Sequence, residues 1–246
     1  VPTNWFDEDV ATAYDDGLEP LPEAGMDLLA RLARPGGRAL ELAIGTGRVA
    51  LPLAQRGVAV AGIELSPAML ARLRAKPGGD AVSTPVTLGD MTTAAAPGGT
   101  TGFDVVYLVF NTIMNLTTQE AQVACFANAA RHLRPGGAFV VETAVPALRL
   151  LPPGQRYVTF EVSECHVGID EYDVLTQGLV SHHTTTGSDG RVERRSVPFR
   201  YVWPAELDLM ARLAGLRLRH RFAGWDGSPL TESSGSHVSV WTAPPS

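Results

Sequence analysis

The chain has 246 residues, 45% of them hydrophobic, and its 20 Lys+Arg against 26 Asp+Glu leave a formal charge of −6. At roughly 150 residues per domain that length supports one full core with a smaller appendage and needs no disulfide staples. The longest unbroken apolar stretch, Val105 to Phe110, is far short of the ~20 residues of a membrane helix, and Asp7, Glu8 and Asp9 stand where a secretory signal would be basic. The expectation is a soluble, cytoplasmic chain with no membrane partner.

Basic residues cluster no further than the short group from Arg191 to Arg195, which argues against nucleic acid as a partner, because phosphate binding needs massed Lys and Arg. The chain holds one lysine, Lys76, followed by Pro77-Gly78-Gly79, so Schiff-base chemistry and a P-loop have almost no residue to use. Its two cysteines, Cys125 in a helical pattern and Cys165 in a strand pattern, read as buried hydrophobes. No Cys/His spacing resembles a zinc site, and no metal is expected.

Strand and helix patterns alternate through the first 145 residues. Strands are predicted at 38–43, 58–63, 82–88, 103–110 and 138–143, and helices at 48–55, 67–76 and 118–133. Ser66 with Pro67 starts the second helix, and Arg134-Pro135-Gly136-Gly137 stops the third. Such alternation predicts an α/β fold with a doubly wound, mostly parallel sheet. After Pro152-Pro153 the segments 157–165, 172–186 and 191–203 alternate with a period near two, and Ser188-Asp189-Gly190 supplies a turn, so a three-stranded antiparallel insert is predicted. A helix at 205–214 and strands at 216–222 and 237–241 complete the sheet, the last strand antiparallel. Residues 1–246 thus read as a single domain, with a β insert at 153–203 over the substrate pocket.

The chemistry centres on Glu41-Leu42-Ala43-Ile44-Gly45-Thr46-Gly47-Arg48-Val49-Ala50, where the first strand hands over to the first helix. Glycine lets the backbone turn tightly there and lets a ligand touch the main chain, beside the unpaired N–H groups of a helix start. Gly45-x-Gly47-x-x-Ala50, with Glu64 nineteen residues beyond Gly45, also fits a dinucleotide fingerprint, and an NAD(P)-dependent oxidoreductase is the alternative. Glu41 separates the two, since its carboxylate at the crevice mouth would repel a pyrophosphate and suit a cationic or zwitterionic ligand. Further on, Gly89-Asp90-Met91 offers an acceptor for an exocyclic amine beside a residue able to pack on a ring.

Together with Phe103-Asp104-Val105-Val106, Phe110-Asn111-Thr112 and His132-Leu133-Arg134-Pro135-Gly136-Gly137, these segments resemble the class I S-adenosylmethionine-dependent methyltransferases, over roughly residues 10–145 and the closing strands. The resemblance implies a Rossmann-like fold and S-adenosyl-L-methionine as cofactor, with S-adenosyl-L-homocysteine as product. It implies that Glu41, Gly45, Thr46 and Gly47 surround the methionine portion, with Arg48 near its carboxylate. Glu64 would take the ribose hydroxyls, Leu65 and Met69 would pack on adenine, and Asp90 with Met91 would hold the adenine edge. The Val109 carbonyl would face the amino group and Tyr14 would close over the cofactor. Ala43 departs from the family by standing where the first motif glycine usually is, and tighter packing is expected there.

Small-molecule enzymes such as glycine N-methyltransferase and the sugar N-methyltransferases of antibiotic pathways are similar in layout, which implies a small-metabolite acceptor in specialised metabolism, methylated on N or O. By that similarity Asn111 anchors substrate; Trp5, Asn115, Arg200 and Tyr201 are weaker candidates for the pocket wall, and Glu142 for a polar contact or base. A neutral amine needs no strong base, whereas an alcohol or phenol usually does. His182 and His183, on opposite faces of a predicted strand, are the weak candidates for that role, and His166 is a third histidine in the insert.

Overall fold

A computed structural model describes residues 4–16, 19–99 and 101–245. The first strand, β1 (Arg38–Leu42), is buried over nearly its whole length and is flanked by β2 (Ala59–Glu64) and β4 (Phe103–Leu108), both parallel to it. Continuous apolar runs of this kind suit strands covered on both faces. With β3 (Val86–Leu88), β5 (Leu133–Ala144), β10 (Arg217–Phe222) and β11 (Ser236–Thr242) they form a seven-stranded sheet in the order β10-β11-β5-β4-β1-β2-β3. Only β11 runs against its neighbours, antiparallel to β5 and β10.

Among the described residues six α-helices accompany the strands: α1 (Glu8–Ala13), α2 (Glu23–Ala33), α3 (Ala50–Gln55), α4 (Pro67–Arg74), α5 (Gln119–His132) and α6 (Pro204–Leu213). The Ser66 hydroxyl accepts the Met69 N–H and Pro67 takes the first helical position of α4, while Thr118 caps α5 through the Ala121 N–H. The period of two along each strand divides the core. Leu40, Leu42, Phe139 and Val141 face Phe126 and Trp241 on one side, and Ala39, Val105, Tyr107 and Val140 face Leu29 and Leu53 on the other. Close approach matters at Gly62 on β2, where a Cβ would lie 2.6–2.7 Å from the Ile44 side chain.

Several expectations change at this level. The insert has four strands, β6 (Tyr157–Val162), β7 (His166–Asp173), β8 (Gly178–Thr186) and β9 (Val192–Arg200), paired in that order into a second, antiparallel sheet. The predicted run 172–186 is broken because Asp173 accepts the Leu175 N–H and the Thr176 hydroxyl, and Gln177 turns left-handed at φ 59°. Val174 and Leu175 at this hairpin tip are exposed, so their apolar character is no sign of a strand. Likewise 157–165 turns at Ser163, whose hydroxyl accepts the His166 N–H, and Cys165 within that turn is exposed; only Cys125 is buried, its thiol pKa pushed up to about 12 by burial. At 82–88 the strand begins only at Val86, because Asp80 draws the Val82 and Ser83 N–H groups into a turn. Among the described residues no helix is long and apolar enough to cross a membrane, and no group of acidic, His and Cys residues is arranged to hold a metal.

Candidate active site

The glycine-bearing loop leaves β1 through three left-handed residues, Ala43 (φ 54°), Gly45 (φ 57°) and Gly47 (φ 79°). Ala43 therefore adopts the conformation a glycine would take freely, and its consequence is backbone strain, of order 1–3 kcal/mol, more than tighter packing. A Cβ on Gly45 would come within 3.3 Å of the Met69 methyl carbon. Gly47 is in the wall of neither space above this loop; a Cβ there would meet Leu51 at 3.0 Å, so its place is to seat the loop on the helices. Across the loop, the two carboxylate oxygens of Glu64 accept the Gly45 and Ser66 N–H groups, each at 2.7 Å. Burial raises the Glu64 pKa, and these N–H donors work against that rise.

Above the carboxyl ends of β1, β2 and β4 lies a cavity of about 310 Å³. Ten of the sequence-predicted residues line it: Trp5, Tyr14, Gly45, Glu64, Leu65, Met69, Asp90, Met91, Asn111 and Asn115. Phe6, Phe110, Thr112, Leu116 and Phe199 join them without having been singled out. A recess of about 30 Å³ shares Tyr14, Ala43, Gly45, Phe110 and Thr112 with this cavity and adds Glu41, Thr46, Arg48 and Val109.

The recess has a distinctive electrostatic balance. Burial pushes the Glu41 carboxyl up to about 8, even though the Tyr107 hydroxyl donates to it at 3.0 Å and Arg48 is near. The Arg48 guanidinium lies 3.6 Å from the centroid of the Phe110 ring and 5.8 Å from that of Tyr14, and it donates to the Glu19 carbonyl at 3.1 Å. The Tyr14 phenol is raised by burial. Thr46 anchors the loop to the N-terminal segment. Its hydroxyl donates to Asp15 at 2.6 Å, and Lys76 bridges the Asp15 carboxylate at 2.8 Å and the Thr46 carbonyl at 2.9 Å.

After β4 the chain makes two successive left-handed residues, Phe110 (φ 56°) and Asn111 (φ 60°). Glu142 accepts the Phe110 N–H at 2.6 Å, and the Asn111 side-chain oxygen accepts the Ala144 N–H at 2.6 Å, so β5 holds this turn at two points. Burial raises Glu142, but its engagement with the backbone makes it a brace of the turn. The Val109 carbonyl receives the Thr112 hydroxyl at 2.6 Å and the Thr112 N–H at 3.2 Å, so it is already engaged and not open toward an amino group as expected. In the cavity wall, the buried side-chain oxygen of Asn115 has no hydrogen-bond partner.

Four further predicted residues line neither this cavity nor the recess. Arg200 is 5% exposed and pairs with Glu206 at 2.8 Å and with Gln122 and Gln177, a buried network that joins β9 to α5 and α6. Tyr201 is buried beside Tyr172. His182 and His183 do face opposite ways, but His182 bonds Ser196 and Glu171, and His183 stacks on His166 with ring centroids 5.2 Å apart. Neither imidazole lines the cavity. Phe199 could not be found from sequence because only the pairing of β8 with β9 brings it there, whereas Phe110 lay within a quoted motif.

A methyltransferase domain model matches residues 39–137. Cypemycin N-terminal methyltransferase from a Streptomyces species is 30% identical over 240 residues, which are 93% of this chain and 94% of that protein. Among solved structures, the CcbJ methyltransferase from Streptomyces caelestis is 36% identical with a TM-score of 0.81, covering 97% of this chain and 98% of that one. CalS10 from Micromonospora echinaspora, an amino pentose methyltransferase involved in calicheamicin biosynthesis and solved with S-adenosylmethionine bound, shares the fold at 24% identity and a TM-score of 0.69, over 98% and 99% of the two chains. The oxidoreductase alternative falls with these matches. A parallel sheet carrying an acidic, glycine-bearing loop beneath a lined cavity, in a chain so related, belongs to the class I S-adenosylmethionine-dependent methyltransferases.

Proposed function

We propose that this methyltransferase acts on a nitrogen of a small metabolite in antibiotic or other specialised-metabolite biosynthesis, inside the cavity where Gly45, Glu64 and Asp90 meet Asn111 and Phe199. That meeting is the observation that carries the reading: one space has a wall suited to the methyl donor and, on its other side, a wall from the second sheet. The residues fit S-adenosylmethionine. The buried Glu41 carboxyl is bonded by the Tyr107 phenol and the Ala50 backbone N–H but forms no ion pair among the described residues, which suits a ligand's ammonium, and the Asn115 oxygen, unpartnered among those residues, awaits a donor. The cofactor supplies a methyl group made electrophilic by its sulfonium.

On this reading Glu41, Gly45, Thr46 and Arg48 hold the methionine end, Glu64 the ribose, and Leu65, Met69, Asp90 and Met91 the adenine. Tyr14, with Trp5 and Phe6, excludes water from the reacting atoms. The second sheet covers the acceptor, fastened to the N-terminal segment where Arg195 donates to the Trp5 carbonyl at 2.7 Å. An amine is favoured over a hydroxyl because the titratable side chains among the described wall residues are Tyr14, Glu64 and Asp90, none of them a histidine, and Glu64 is held by backbone N–H groups. The relative named as an N-terminal methyltransferase supports the same choice.

The deciding experiment supplies S-adenosylmethionine with a labelled methyl group and a panel of amino sugars, free α-amines, phenols and alcohols. Label is expected on an amine. Label confined to a hydroxyl overturns the choice of nitrogen, and tight binding of NADH without S-adenosylhomocysteine binding overturns the whole reading.

A further inference from the structure

A second cavity, of about 320 Å³, lies beyond Asn111 and Phe199, which line both spaces. Its walls come from the chain after β5, from Met114, and from the inward face of the second sheet, where Asp170 pairs with Ser181 and Tyr172 with Leu179. Asp170 is the one ionisable acid or base among the described wall residues apart from the tyrosine phenols. The Ser181 hydroxyl donates to it. Of the basic groups near it, Arg156 and His182 pair with Glu171 and His166 with Glu161, while His183, whose pKa burial lowers, bonds the His166 ring; His183 and His182 only partly offset the burial that raises the Asp170 pKa.

A carboxylate drawn out of water beside Met114, Val145, Leu179 and Phe199 loses hydration that one hydroxyl does not replace, and a cation restores it best. The rings of Tyr172 and Tyr201, with centroids 5.6 Å apart, add aromatic surface of the kind that attracts an ammonium. We propose that this second cavity is a cation subsite: it receives the part of the acceptor remote from the methylated atom and selects acceptors that carry a protonated amine there, paired with Asp170. The inference rests on the methyltransferase reading above and adds to it a charge requirement at a named residue.

The test uses full-length protein saturated with S-adenosylhomocysteine, so that the first cavity is filled, and compares binding of phenethylamine with its neutral counterpart 2-phenylethanol by calorimetry. The wild type is expected to prefer the amine, Asp170→Asn to lose that preference by about tenfold or more, and Asp170→Glu to keep part of it. Leu179→Lys, which puts an ammonium into the same space, is expected to exclude the amine, and it serves should Asp170→Asn fail to fold. Equal binding of amine and alcohol by the wild type, or an amine preference that survives either variant, overturns the subsite. Saturation with S-adenosylhomocysteine is measured first on the same samples. Its failure sinks the methyltransferase reading, whereas intact saturation without amine preference sinks the subsite alone.

Discussion

The wall built from the large sheet and the wall built from the small one solve the same problem by different means. On the large sheet, Glu41, Glu64 and Asp90 each sit within two residues of a strand end and Gly45 within three, and backbone N–H groups hold the Glu64 and Asp90 carboxylates. On the small sheet, Asp170 and Ser181 stand inside their strands and Phe199 near the end of β9, and they meet through register. The first arrangement resists change at any one side chain because the loop geometry is set locally. The second depends on every hairpin holding its pairing, which leaves its side chains open to substitution within a fixed frame.

Breaking the large-sheet side should give the bigger effects. Glu41, raised from 4.5 to about 8 by burial, favours the folded state while protonated, so the ligand-free protein should lose stability as pH climbs from 4.5 toward 8. At ~1.4 kcal/mol per pKa unit this amounts to about 5 kcal/mol as an upper figure. Glu41→Gln should flatten that slope in melting temperature against pH while weakening S-adenosylhomocysteine binding. A slope that persists in the variant places the titration elsewhere.

Next in size, Glu64→Ala should weaken cofactor binding by about 1.5–3 kcal/mol in calorimetry, the cost of a charge-assisted contact. Unchanged affinity would tell against the ribose assignment. At the junction of the two walls, Asn111→Ala should raise the acceptor KM by about tenfold, for the loss of one anchoring hydrogen bond. Cofactor affinity should stay as it is, and Asn111→Gly, which keeps the left-handed backbone at ease, separates anchoring from strain. The smallest effect is Ala43→Gly, which relieves a positive φ and should stabilise the fold by up to about 1 kcal/mol in denaturant melts, with no change in acceptor preference.

The same contrast explains how much could be read in advance. The succession of strands and helices along the large sheet and the Ser66 cap follow from short patterns whose physics is local, and most of the ten cavity-wall residues follow from the family resemblance that those patterns carry. The small sheet hid a strand because Val174 and Leu175 are apolar yet exposed, and Asp173 turns the chain through its own side chain. His182 and His183 drew attention as titratable groups, but their partners, Glu171 and His166, lie on the neighbouring strand and become visible only once β7 and β8 are paired. Arg200 likewise reads as a pocket residue in sequence, whereas in the fold Glu206 neutralises its charge and Gln122 accepts a hydrogen bond from it.

Lys76 bears the only side-chain amine in the sequence, and it ties the glycine-bearing loop to Asp15 of the N-terminal segment. Amine-directed labelling therefore has a single side-chain target, placed on the latch between that segment and the loop. Its reaction rate with an acylating reagent gives a direct gauge of how often the latch lets go, and of whether filling the crevice holds it shut.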